Sequence, residues 1–141
     1  MSWAQSLIKL ATYEVEVLQK RLADIAERRG AEEVRLALLA AEGEAEALRA
    51  GDDAASGWYH IGFMDGLRVR KAEVQTRIDA LLSEEAGARD ALAQAFEEQK
   101  KYEQVAEQAR VLELREAGRR ETAALDELGL RKAGGAARRT A

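Results

Sequence analysis

The residue types that most often carry out chemistry in proteins are scarce in this sequence. The chain has one histidine, His60, and no cysteine, so neither a thiolate nor a pair of imidazoles is available to bind a metal. No aspartate or glutamate lies three or four residues from His60, as a di-metal motif on a helix would require. Gly62 and Gly66 fall within a helical pattern and form no phosphate-binding loop. The sequence therefore predicts no catalytic residue, no metal site and no cofactor.

Apolar residues recur instead in alternating steps of four and three, which is the heptad pattern of a coiled coil. Such a repeat makes a narrow stripe along a helix that only another helix can bury. The longest run has mostly apolar members and comprises Val74, Ile78, Leu81, Glu85, Ala88, Leu92, Ala95, Gln99, Tyr102, Ala106 and Ala109.

A second heptad run begins near the N-terminus and comprises Ala4, Ile8, Ala11, Val15, Leu18, Leu22 and Ile25. Its register becomes polar at Arg29 and Glu32 and turns apolar again at Leu36 and Leu39. An alternative stripe starts nearby, which suggests a stutter or local unwinding of the helix. This alternative stripe comprises Val34, Leu38, Ala41, Ala45 and Leu48.

Composition favours extended helices over a globular core. Charged residues make up 34% of the 141 residues, aromatic residues only 5%, and proline is absent. There is no long apolar run and no signal-peptide pattern, and the lack of cysteine is compatible with a reducing compartment, so we expect a cytoplasmic protein. The net charge of −4 argues against nucleic acid as the main partner.

The segment 51–57 combines two glycines with two aspartates and separates the two heptad runs. A short connection between helices with matching stripes predicts that they fold back antiparallel. We therefore predict an all-α fold, a two-helix antiparallel coiled-coil hairpin over residues 1–133 with arms of unequal length. Helix one should span about 3–50, the hinge 51–57 and helix two about 58–131, followed by a disordered tail at 134–141.

Two surfaces are candidates for partner binding. The first gathers much of the aromatic content directly after the hinge, in Trp58, Tyr59, His60, Ile61, Phe63 and Met64. Phe63, Leu67, Arg70 and Val74 continue it along one helical face, which could be either a docking surface or part of the packing against helix one. A catalytic role for His60 has no support, because no convergent partner is visible.

The second candidate is the end of helix two. Helix one should reach only to about Tyr102, which leaves Leu112, Leu114, Leu125 and Leu128 without cover. A lone helix with uncovered apolar residues is marginal in water, so this end either frays or is buried by another protein.

Three parts of the chain resemble a known family. Residues 7–22 look like the opening helix of the flagellar export protein FliJ, and Trp58-Tyr59 with residues 63–67 look like its aromatic signature after the hinge. Lys101-Tyr102-Glu103 and residues 125–132 resemble its closing pattern. The resemblance spans about residues 1–132, although the many glycines and the acidic hinge are not typical of the family.

The resemblance implies a cytoplasmic, non-enzymatic component of the flagellar type III export apparatus. Its partners would be the ring of the export ATPase, in which it acts as a stalk, the export gate at the membrane, and export chaperones; it would meet the membrane only through partners and be monomeric when free. The gate would be met by Trp58, Phe63, Leu67, Arg70 and Val74. The ATPase would be met by Arg110, Arg115, Arg119, Arg120, Leu125, Leu128 and Arg131.

Other functions compete with this one. A stalk of a related secretion system or a generic secretion chaperone or adaptor would use the same helical faces. A structural homodimer would pair both arms with a second chain, and sedimentation would distinguish it from a monomeric hairpin. An RNA-binding hairpin is the weakest alternative, given the negative net charge.

Overall fold

A computed structural model describes residues 2–51 and 56–140, with side chains from 3 to 51 and from 57 to 137. It contains two helices, α1 (Ser2–Ala50) and α2 (Ser56–Thr140). The predicted all-α two-helix hairpin is thus confirmed, and its arms are unequal at 49 and 85 residues. Residues 52–55 of the predicted hinge lie outside the described residues, and α2 begins at Ser56. Neither described helix has the apolar length that a membrane crossing needs.

The contacts divide the chain into two units, one of them Thr12–Phe96 and the other Met1–Ala11 with Glu97–Ala141. Within the unit Thr12–Phe96 the helices run antiparallel, because Arg28 and Arg29 face Glu84 and Glu85 while Gly43 faces Leu67. The residues buried between the helices, which we call the seam, follow the predicted heptads and include Val15, Ile25, Leu67, Val74, Ile78, Ala88 and Ala95.

The predicted stutter in α1 is wrong. The first register continues through Arg29, Glu32, Leu36, Leu39, Gly43 and Glu46, all of which are buried or half-buried, whereas the alternative stripe from Val34 to Leu48 is exposed throughout. Arg29 and Glu32 are tolerated in the seam because α2 supplies partners for them, and Glu46 pairs with Arg49 of α1. Arg29 donates from Nε to Oε2 of Glu85 at 2.6 Å, and Arg77 donates from Nε to Oε2 of Glu32 at 3.2 Å. We call Arg29, Glu32, Arg77 and Glu85 the polar layer.

The second unit brings the start of α1 against the later part of α2. Ala4, Gln5 and Ile8 line a groove with five residues of α2, namely Glu103, Ala106, Glu107, Arg110 and Glu113. Helix one therefore reaches past Tyr102, the predicted limit.

The helix α2 also ends later than predicted, at Thr140 and not at about Arg131. Alanines at 133, 136 and 137 are strong helix formers, and the ion pair of Arg131 with Glu127, 3.0 Å long, stabilises the turn before them. Every described side chain from Leu112 to Ala137 is exposed, however, so packing against α1 buries none of them.

Candidate protein-docking surfaces

The first surface lies at the start of α2. Trp58, Tyr59, Ile61, Gly62 and Phe63 line a shallow concavity of about 440 Å³, and we call these five residues the tip surface. Trp58 is 88% exposed, and Tyr59 and Ile61 are also exposed, whereas Phe63 is half-buried. Large apolar side chains so exposed and so close together in sequence are typical of a protein-binding site.

The five residues predicted to meet the gate do not form one surface. Leu67 is 1% exposed and Val74 is equally buried, because both belong to the seam with α1. Arg70 is exposed, and Trp58 stands nine residues before Leu67, which places it about half a turn away on the helix. The structure thus assigns Leu67 and Val74 to packing within the hairpin and leaves Trp58 and Arg70 in solvent. The predicted gate contacts did not include Tyr59 and Ile61. Their position beside Trp58 in the sequence is the signal that could have identified them.

His60 is half-buried, and its Nδ1 atom has no hydrogen-bond partner among the described residues. Within residues 2–51 and 56–140 no group of three histidine, cysteine, aspartate or glutamate side chains is close enough to hold a metal ion. Among the described residues, therefore, His60 has no group of metal ligands and no hydrogen-bond partner at Nδ1.

The second surface is on α2 beyond residue 109. Three of the arginines predicted to meet the ATPase form ion pairs with glutamates three or four residues earlier, which are Glu107 with Arg110, Glu116 with Arg120 and Glu127 with Arg131. Arg115 and Arg119 form no hydrogen bond or ion pair within the described part of the chain, so their charge is free. Leu125 and Leu128 are exposed. These arginines and leucines, residues 110–131, are the C-terminal surface.

The apolar residues of the C-terminal surface do not continue the stripe that packs against α1. The heptad count from Ala109 reaches six positions, of which four are charged and two apolar: Glu113, Glu116, Arg120, Ala123, Glu127 and Leu130. Apolar residues stand one position later, at Leu114, Ala117, Ala124 and Leu128. One residue corresponds to about 100° around a helix, so a partner covering this stripe approaches from a different side than α1 does.

Two carboxylates close to these elements have lowered pKa values. The hydrogen bond from Arg29 holds the pKa of Glu85 below the ordinary value of a carboxyl, and it outweighs the opposite effect of burial. Arg29 also donates from Nη2 to Oε1 of Glu85 at 3.3 Å, and Arg89 donates a third hydrogen bond to Glu85, 2.9 Å long. Just before the C-terminal surface, the hydrogen bond from Arg110 lowers the pKa of Glu107 in the same way. The two sites differ in exposure, since the side chain of Glu85 is 4% exposed and that of Glu107 is 59% exposed.

Comparison with known proteins identifies the family. The sequence model of the family described as flagellar FliJ protein matches residues 4–138. The flagellar FliJ proteins of two strains of Caulobacter vibrioides, NA1000 / CB15N and ATCC 19089 / CIP 103742 / CB 15, are each 53% identical to this chain over 131 residues, which is 93% of the chain and 94% of the relative. No solved structure matches it. The chain therefore belongs to the FliJ family of flagellar proteins.

Proposed function

We propose that the protein is a non-enzymatic coiled-coil component of the flagellar type III export apparatus, which acts as a stalk within the ring of the export ATPase and links that ring to the export gate. The observation that carries this proposal is the C-terminal surface, where Leu125 and Leu128 are exposed and Arg115 and Arg119 have no ion pair within the described residues. Family membership supplies the flagellar context.

The exposed segment explains why a partner is needed. A single helix in water gains nothing from its apolar side chains, and its stability rests on propensity alone. Insertion into a ring would bury Leu125 and Leu128 and would give Arg115 and Arg119 carboxylates to bind. The remaining arginines, already paired within the chain, would contribute less.

A helix inside a ring of repeated subunits meets each subunit with a different face. The subunits that bind the helix best are stabilised in one nucleotide state relative to the others. The stalk would therefore act by differential binding, and all covalent chemistry would belong to the ATPase.

A binding assay with the purified export ATPase tests this proposal. Truncation after Ala109 should abolish binding, and the double variant Arg115→Ala, Arg119→Ala should weaken it by about tenfold, which is the loss of roughly one charge-assisted contact. The matched control is Arg110→Ala, whose guanidinium is already held by Glu107 at 2.6 Å, and its effect should be smaller. Unchanged binding by the truncated chain would show that the assignment of this end is wrong.

The tip surface is the proposed contact with the export gate. Trp58→Ala and Ile61→Ala should weaken binding to the cytoplasmic part of the gate without loss of helicity, because both side chains are exposed. Val69→Ala is the matched control, an exposed apolar residue of the same helix outside the tip surface. Phe63→Ala tests where the tip surface ends, since this half-buried side chain contributes both to the tip surface and to local packing.

Export chaperones are the third proposed partner, and the protein would act in the cytoplasm on the inner face of the membrane, held there by the gate and the ATPase. Fractionation of cells with and without the gate protein tests the location: the protein should leave the membrane fraction when the gate is missing.

Sedimentation of the free protein should give a monomer. A stable dimer would instead favour a homodimeric coiled coil.

A further inference from the structure

A second apolar stripe runs along α1 without any role in the hairpin. It consists of the heptad-spaced residues Val34, Leu38, Ala41, Ala45 and Leu48, all exposed, with Leu48 reaching 83%. We call it the outer stripe. Val34 and Leu48 each stand two residues before a seam position, which is about 200° around the helix, so the outer stripe faces away from α2.

The corresponding side of α2 is built differently. Its residues two positions before Leu67 and Leu81 are Asp65 and Asp79, and the same side carries Thr76 and Ser83. Val69 alone is large and apolar there. A solvent-facing side is expected to be polar on both helices, so α1 between residues 34 and 48 is the exception.

On the borders of the outer stripe the arginines have ion-pair partners, whereas two glutamates have none within the described residues. Arg35 is paired with Glu32 and Arg49 with Glu46. Glu42 and Glu44 stand on opposite borders, since two residues span about 200°. Neither glutamate has a hydrogen bond or ion pair within the described residues, so the free charge beside the stripe is negative.

We propose that the outer stripe binds an α-helix of another protein, one whose apolar seam is bordered by lysine or arginine. The stripe is about four turns or 22 Å long, and Ala41 and Ala45 at its centre let a second backbone approach closely. Basic residues on the partner would pair with Glu42 and Glu44. A second copy of the same stripe fits less well, because it would bring the carboxylates of these two glutamates close to those of the other copy.

The proposal involves only residues 34–48 and is independent of the ATPase and gate contacts. Its probe is a synthetic helical peptide of about three heptads with leucine at the seam positions and lysine at the border positions. The control peptide carries glutamate at the border positions. Fluorescence anisotropy with the full-length protein measures the affinity for each.

The lysine peptide should bind at least about tenfold more tightly than the glutamate peptide. Leu38→Asp should abolish this binding, whereas Val69→Asp, at an equally accessible place on α2, should leave it unchanged. The double variant Glu42→Lys, Glu44→Lys should reverse the preference between the peptides. Circular dichroism verifies that each variant keeps the hairpin.

Three results would overturn the proposal. Binding that survives Leu38→Asp, or that depends on Leu125 and Leu128 instead, would place the peptide elsewhere. Equal binding of both peptides would remove the argument from charge. Self-association of the free protein that Leu38→Asp abolishes would make a second copy the occupant.

Discussion

Two stretches of α2 have much the same composition and entirely different surroundings. From Val74 to Ala95 every heptad position is buried or half-buried against α1, and from Leu112 to Ala137 every described side chain is exposed. Both stretches are helical, free of proline and rich in charge. The difference lies in what covers the helix: the first stretch is stabilised by packing against α1, whereas the second buries no described side chain, so its helicity rests on residue propensity and on ion pairs within the helix.

The largest expected difference between the two stretches is in the rate of amide hydrogen exchange. Amides of the stretch from Val74 to Ala95 open only with the hairpin, whereas those after Leu112 open with local fraying. We expect protection factors that differ by more than about a hundredfold, measured by mass spectrometry on the free protein. Equal protection in both stretches would contradict the comparison, and bound ATPase should protect the second stretch selectively.

A leucine-to-alanine substitution in the seam of α2 and one in its exposed stretch should have unequal effects on stability. Leu67→Ala removes a fully buried side chain and should lower the free energy of unfolding by about 2–4 kcal/mol. Leu125→Ala removes an exposed one and should change it by less than about 0.5 kcal/mol. Urea titration followed by circular dichroism measures both. A large effect of Leu125→Ala would indicate that its stretch is covered in the free protein.

The paired carboxylates sharpen the comparison through pH. The pKa of Glu85 is lowered in the folded state, so its contribution to stability is complete above the pKa of the unfolded chain and is lost as pH falls through the folded value. Glu85→Gln should therefore lower Tm at pH 7, and its difference from the wild type should shrink as pH falls below about 4. Glu107→Gln is the matched control, because its pKa is lowered in the same direction at an exposed place, where solvent and salt screen the pair. A pH-independent difference for Glu85→Gln would exclude the ion pair as its cause.

The smallest expected effect concerns two glycines of α1. A Cβ atom on Gly43 would lie 2.7 Å from Cδ2 of Leu67, whereas one on Gly30 would meet nothing within 4 Å. Gly30→Ala should therefore stabilise the protein by about 0.5–1 kcal/mol through helix propensity. Gly43→Ala should lose that gain to the displacement of Leu67, and it should recover the gain in the Leu67→Ala background. Thermal unfolding of the three variants measures this; an equal gain at both glycines would contradict the close packing.

Periodicity predicts much of this fold and little of its surfaces. The spacing from Ala4 to Ile25 and from Val74 to Ala109 is sufficient to predict both helices and their antiparallel packing. The stutter was predicted wrongly because Arg29 is unfavourable in a seam until Glu85 faces it. That pairing depends on the register between the two helices, which the pattern of one helix alone does not reveal.

The same limit applies to the candidate sites. Phe63, Leu67 and Val74 share a helical face in the sequence, but only the position of α1 decides that Leu67 and Val74 are covered. Trp58 and the outer stripe are apolar residues that the fold leaves in solvent. In a sequence they cannot be told from core residues, because both give the same hydrophobic signal.

The positions of the two tryptophans provide a built-in optical reporter. Trp3 belongs to the unit that contains the C-terminal surface, and Trp58 belongs to the tip surface; both are largely exposed. Indole emission shifts to shorter wavelength when water is excluded, so Trp3→Phe and Trp58→Phe give two proteins that each fluoresce from a single place. Titrating either single-tryptophan variant with a purified partner would report which tryptophan loses contact with water, without any added label.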